Sequence, residues 1–137
     1  MNIFFFNEGT KFKLKEEEKT AAWINAIIEK AGSSTLGINY IFCSDQHLLG
    51  INEQYLSHDT LTDIITFDHS EEDGIEADIF ISTERVQENA SALNKDFDDE
   101  LHRVIIHGIL HLLGYSDKTK EQKQEMREKE DACLSLR

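Results

Sequence analysis

The stretch HGILHLLGYSD, residues 107–117, sets two histidines four positions apart in an otherwise apolar run, then a glycine, then an aspartate three residues on. Residues four apart on an α-helix lie about 40° apart around its axis, so His107 and His111 share one face, one turn apart. Leu101, Val104, Ile105, Gly108 and Leu112 form a neighbouring apolar stripe, and Ile106, Leu110 and Leu113 form another on the far side. A helix that is apolar nearly all round is buried, and imidazoles buried without partners cost free energy. Gly114 supplies a break, because glycine takes the left-handed backbone that ends a helix and turns the chain back. Asp117 then reaches the same point from the other side. Zinc accepts nitrogen and oxygen ligands, and a site with three protein ligands keeps a position open for water. His107, His111 and Asp117 are therefore expected to hold one zinc ion, or another divalent transition metal, with no organic cofactor.

The His-x-x-x-His-x-x-Gly-x-x-Asp spacing matches the metal-binding skeleton of long zinc-peptidase motifs, with a carboxylate as third ligand. Peptidases place their general-base glutamate directly after the first histidine, and here that position is Gly108. The metal fits the sequence; peptidase chemistry does not.

Outward from this helix the chain reads as short alternating elements. Phe4–Phe6 suggests a strand, and Glu16 to Ala31 an amphipathic helix stopped by Gly32, with Trp23 in the core. GINYIFCSD reads as a strand with Ile38, Tyr40 and Phe42 on one side, and Ser44-Asp45 caps the helix DQHLLGINEQYL. LTDIITFD and ADIFIS read as strands around the polar loop HSEEDGIEA, and Ser82 or Thr83 caps a helix running to about Leu93. Asp96, Asp98 or Asp99 opens the histidine helix, and a charged helix follows from Thr119 to about Leu134. The order β-α-β-α-β-β-α-α-α argues one α+β domain over residues 1–137, a small mixed four-stranded sheet covered by about five helices.

A chain of 137 residues encloses an adequate core without disulfides or other staples. No run approaches the roughly 18 apolar residues of a membrane span. MNIFFFNEG lacks the basic flank of a signal peptide, and Cys43 and Cys133 are the only cysteines, so a reducing cytoplasm is the expected location and each thiol is expected to be a small apolar filler. The net charge of −13, from 27 acids against 14 bases, denies the protein a generic grip on polyanions. RNA would need a local cation cluster or a metal. Two lysine-rich stretches exist, one at Lys11, Lys13, Lys15 and Lys19, the other at Lys118, Lys120, Lys123, Arg127 and Lys129. Both are interleaved with glutamates and read first as solvated helix faces.

Three blocks together resemble the YbeY family, the metal-dependent endoribonucleases and rRNA maturation factors of bacteria. HGILHLLGYSD is similar to that family's His-Gly-x-Leu-His-Leu-x-Gly-Tyr-Asp-His. INEQYLSHDTLTDIITF resembles its Leu-Asn-x-x-Tyr-Arg-x-x-Asp-x-Pro-Thr-Asp-Val-Leu-Ser-Phe, and ADIFIS its Gly-Asp-Ile-x-Ile. The blocks run in the family's order from Ile51 to Asp117. Asp117 stands where the family has its third histidine, and Ser116 where it has the preceding aspartate. A one-residue insertion would instead make Asp117 that displaced aspartate; the gapless version is preferred, since zinc accepts a carboxylate oxygen as readily as an imidazole. Leu56 replaces an arginine thought to engage phosphate, and Leu61 a proline.

The resemblance implies a single-strand-specific endoribonuclease in rRNA maturation and ribosome quality control, partnered by rRNA and small-subunit components and by no membrane. Water activated by the metal would attack the phosphodiester, or a ribose 2′-hydroxyl would. Glu100, two turns before His107 on the same face, is a weak catalytic candidate whose simpler reading is a surface carboxylate near the helix cap. His58 is the other weak catalytic candidate, and His58 and Lys118 are weak candidates for substrate contact. Asp63 and Asp78 match family positions but read first as anchors for backbone amides at strand ends. His47, His69 and His102 read as surface or ordinary hydrogen-bonded residues. Two rivals remain: a ribosome-assembly factor whose metal mainly fixes the Gly114 turn, and a divergent metallohydrolase of another ester or amide.

Overall fold

The polar and apolar alternation of the strands sorts their side chains onto two faces, and the architecture follows. In the computed structural model, which describes residues 2–56 and 62–137, the strands are β1 (Ile3–Glu8), β2 (Thr35–Cys43), β3 (Ile64–Asp68) and β4 (Ile75–Ser82). The helices are α1 (Glu17–Lys30), α2 (Asp45–Leu56), α3 (Thr83–Ala92), α4 (Phe97–Leu112) and α5 (Lys120–Leu134). The sheet order is β1-β2-β4-β3. β1, β2 and β4 run parallel and β3 pairs antiparallel with β4, so the sheet is mixed, as expected.

One face of the sheet presents Ile3, Ile38, Tyr40, Phe42, Ile79 and Ile81 to Ile24 and Ile28 of α1 and Ile105 and Ile109 of α4. Burying each such isoleucine contributes about 2 kcal/mol. The Tyr40 hydroxyl, fully buried, donates to the carbonyl of Ile105 at 3.1 Å, which ties the sheet to the middle of α4. On the opposite face, Leu48 and Ile51 of α2 pack with Cys43, Ile65, Phe67 and Phe80. Both cysteines are buried and unpaired, as the filler reading requires.

The helix caps fall close to their expected positions. Ser82, rather than Thr83, caps α3 by accepting from the Arg85 amide, and Thr119 with Gln122 forms a reciprocal capping box at α5. Asp96 precedes α4 but its side chain makes no capping bond. Asp78 departs from the reading given above. It lies in the middle of β4, paired in register with Asn39, whose amide donates to it at 3.0 Å, and so anchors no strand end.

Gly108 explains how closely α4 approaches the sheet. A Cβ at this position would lie 3.0 Å from Ile64 Cδ1 and 3.5 Å from Thr66 Oγ1. The residue after the first histidine is thus pressed onto β3, where a side chain would have to displace the end of Ile64.

Candidate metal centre

The end of α4 builds the site. Gly114, at φ 104°, occupies the left-handed position after the helix. The Tyr115 amide donates to the Leu110 carbonyl and the Gly114 amide to the His111 carbonyl, both at 3.0 Å. These are the paired bonds of a Schellman turn. The turn directs the Tyr115 carbonyl at Nδ1 of His111, 2.9 Å away. It also returns Asp117 to the histidine face: Asp117 Oδ2 lies 3.4 Å from Nε2 of both His107 and His111.

The second histidine support comes from α5. Nδ1 of His107 lies 2.6 Å from Oε2 of Glu130, whose other oxygen takes the Arg103 guanidinium at 2.8 Å. Glu130 is buried, with 7% of its side chain exposed. Burial pushes its carboxyl up, but hydrogen bonds and charge from His107 and Arg103 outweigh that and hold it below the ordinary range. Burial likewise pulls the His107 imidazole down, and the hydrogen bond and charge of Glu130, reinforced by Asp117 and Asp63, leave it raised.

These bonds fix tautomers. A carbonyl and an ionised carboxylate only accept, so both Nδ1 atoms carry hydrogen, and each neutral ring leaves a lone pair on Nε2. The two Nε2 atoms lie 2.9 Å apart. With both rings neutral, two lone pairs and a carboxylate oxygen face one another, an arrangement that a shared proton or a metal cation satisfies. The donor triangle, with sides 2.9, 3.4 and 3.4 Å, has a circumscribed radius of about 1.9 Å, so a point at the ~2.0–2.2 Å typical of zinc bonds lies just off its plane. His107, His111 and Asp117 are partly exposed and could hold a metal ion. The donor set fits zinc, and the support of each ring through its other nitrogen is the usual companion of metal-ligating histidine.

The surroundings correct and extend the sequence reading. Glu100 is not a surface carboxylate: only 7% of the residue is exposed, because α4 turns this position inward on the same face as His107. Burial raises its carboxyl, with Asp63 adding to the effect and Arg103 opposing it. Burial raises Asp63 as well, against the lowering charge of His107. Asp63 lines two cavities that meet at His107. One, of ≈ 510 Å³, holds Asp63, His107, His111 and Asp117; the other, of ≈ 280 Å³, holds Glu100, Arg103, Arg127 and Glu130 beside Asp63 and His107. Lys118 is exposed and lines neither cavity. His58 lies outside the described residues. His102 is buried, with Nδ1 2.7 Å from the Asp98 carbonyl; His69 is exposed beside Asp78, and His47 sits near Phe80. Glu130 and Arg103 were not singled out from sequence, since nothing in a charged helix such as α5 marks one glutamate as inward-facing.

The model of the family described as Endoribonuclease YbeY matches residues 4–136. Endoribonuclease YbeY of Cytophaga hutchinsonii is 54% identical over 136 residues, covering 98% of this chain and 95% of that protein. Endoribonuclease YbeY of Bacteroides thetaiotaomicron is 43% identical over 137 residues, with both chains covered completely. Among solved structures, the solution structure of TM1509 from Thermotoga maritima superposes with a TM-score of 0.71 at 32% identity, covering 98% of this chain and 87% of that one.

Proposed function

The chain belongs to the YbeY endoribonuclease family, and from that premise we propose that it is a zinc-dependent endoribonuclease that cuts single-stranded RNA during rRNA maturation and ribosome quality control. Its partners in this reading are rRNA and small-subunit components in the cytoplasm. The observation that carries the chemistry is the convergence of His107 Nε2, His111 Nε2 and Asp117 Oδ2 on one point.

These three side chains would hold the ion. The chemistry it supplies when bound is Lewis acidity towards a phosphoryl oxygen and acidification of water near neutral pH. The chain does the rest. Glu130 and the Tyr115 carbonyl keep both rings in the tautomer that presents Nε2. Gly108 brings the helix against β3, so that Thr62, Asp63 and Thr66 form the opposite wall of the cavity. Asp63 and Glu100, both shifted towards the protonated form by burial, are the groups beside the site able to release or hold a proton near a leaving oxygen.

The test compares single-stranded and fully duplex oligoribonucleotides with protein carrying one equivalent of zinc. Cleavage of the single strand is expected, and His111→Ala is expected to lose at least about 100-fold in rate while keeping its fold. Equal cleavage by His111→Ala would contradict the proposal. Binding to small-subunit particles without turnover would favour an assembly factor with a structural metal, and comparable cleavage of an ester or amide a different hydrolase.

A further inference from the structure

A protein of net charge −13 repels a polyanion unless cations stand where the phosphates pass. In the two cavities that meet at His107, among the described residues, the lysines contribute nothing and the arginines are Arg103 and Arg127. Arg103 is committed: its guanidinium binds Glu130 at 2.8 Å and Asp131 at 2.6 Å. Arg127 is exposed and makes no hydrogen bond or ion pair with any described residue. It nevertheless lines the cavity that His107 and Asp63 share with the cavity containing Asp117.

We infer that Arg127 is a positioning residue for RNA, holding a backbone phosphate next to the scissile one, so that the strand runs from the His107–His111–Asp117 cavity across His107 to α5. The assignment rests on the endoribonuclease reading above. A guanidinium offers a planar fork of donors that suits phosphate oxygens, and α5 fixes its distance from the site because Glu130, three residues on, is bonded to His107. The acids nearby oppose a phosphate less than their number suggests. Glu130 and Asp131 are both engaged by the Arg103 guanidinium, at 2.8 and 2.6 Å, and Glu100 is buried with 7% exposed.

The experiment measures affinity of the metal-free protein for a short single-stranded oligoribonucleotide by fluorescence anisotropy over a series of salt concentrations, followed by KM and kcat with zinc. Arg127→Gln is expected to weaken binding about three- to tenfold and to reduce the slope of log affinity against log salt by about 0.7, the loss of one phosphate contact on a single strand. Arg127→Glu should weaken binding further, Arg127→Lys should restore part of the affinity but not all, and KM should change more than kcat. Lys30→Gln, an equal charge change at the exposed end of α1, controls for net charge and should leave the slope unaltered. Because Arg127 is exposed, each variant should keep the wild-type melting profile. If wild type cleaves while Arg127→Gln keeps its slope and KM, or if Lys30→Gln lowers the slope equally, the assignment is wrong and the enzymatic reading stands. If wild type neither binds nor cuts the strand, both fall together.

Discussion

Glu130 and His107, 23 positions apart in sequence, meet at 2.6 Å, and that hydrogen bond decides which nitrogen of His107 faces the other two donors. It links a charged C-terminal helix to a site otherwise built within eleven residues. Because the same carboxylate binds Arg103, the orientation of the ring depends on a three-member network centred on the buried Glu130.

Glu130→Ala should therefore act on both stability and metal affinity. Removing the carboxylate takes one of the two partners of Arg103, which keeps Asp131, and is expected to cost about 1.5–3 kcal/mol. Losing the support of a ligating ring is expected to weaken zinc about 10- to 100-fold. Thermal melts and competition with a chromogenic chelator check the two effects. Unchanged zinc affinity would mean that His107 is held by packing alone.

The same pair gives the metal-free protein a distinctive pH profile. Glu130 is depressed on folding, so its contribution is present above the ordinary glutamate value of 4.5 and is lost as pH falls through its folded value. His107 is raised, so its contribution is full below the ordinary histidine value of 6.5 and is lost as pH rises through its folded value. The difference in stability between wild type and Glu130→Gln, both stripped of metal, should be greatest on the acid side of neutrality and shrink in either direction. A difference that stays flat across the range would contradict the assigned charges.

Gly114→Ala tests the turn. At φ 104° any side chain is strained, and a cost of about 1–2 kcal/mol is expected. Relief of that strain would shift the Tyr115 carbonyl and Asp117 together, so zinc affinity should fall along with melting temperature. Gly108→Glu, which writes the peptidase pattern into the sequence, should yield no peptidase; the 3.0 Å approach of Ile64 makes it a destabilising variant by about 1–3 kcal/mol. Urea titration and a peptide-cleavage assay read these outcomes.

What the sequence revealed followed the range of the interactions. His107, His111, Gly114 and Asp117 are joined by one helix and one turn, whose geometry is local, so their spacing sufficed. The order of strands and helices was readable for the same reason, since alternation and caps are local signals. Glu130 and Arg103 form their contacts across α4 and α5; Glu130 sits among like-looking charges, and Arg103, the one Lys or Arg of α4, finds its partners on another helix. Glu100 misled because three acids at a helix start normally face water; its neighbours Asp98 and Asp99 do, whereas Glu100 is one helical step further and faces inward. Asp78 misled because polarity in a strand suggested an end, when its partner is a side chain on the adjacent strand.

Crystals of the zinc-loaded protein, measured on both sides of the zinc absorption edge, locate the ion. A single anomalous peak is expected at about 2.0–2.2 Å from Nε2 of His107, Nε2 of His111 and a carboxylate oxygen of Asp117. A peak held by other donors, or an Asp117 side chain turned away from both rings with the ion in place, would overturn the His107–His111–Asp117 assignment.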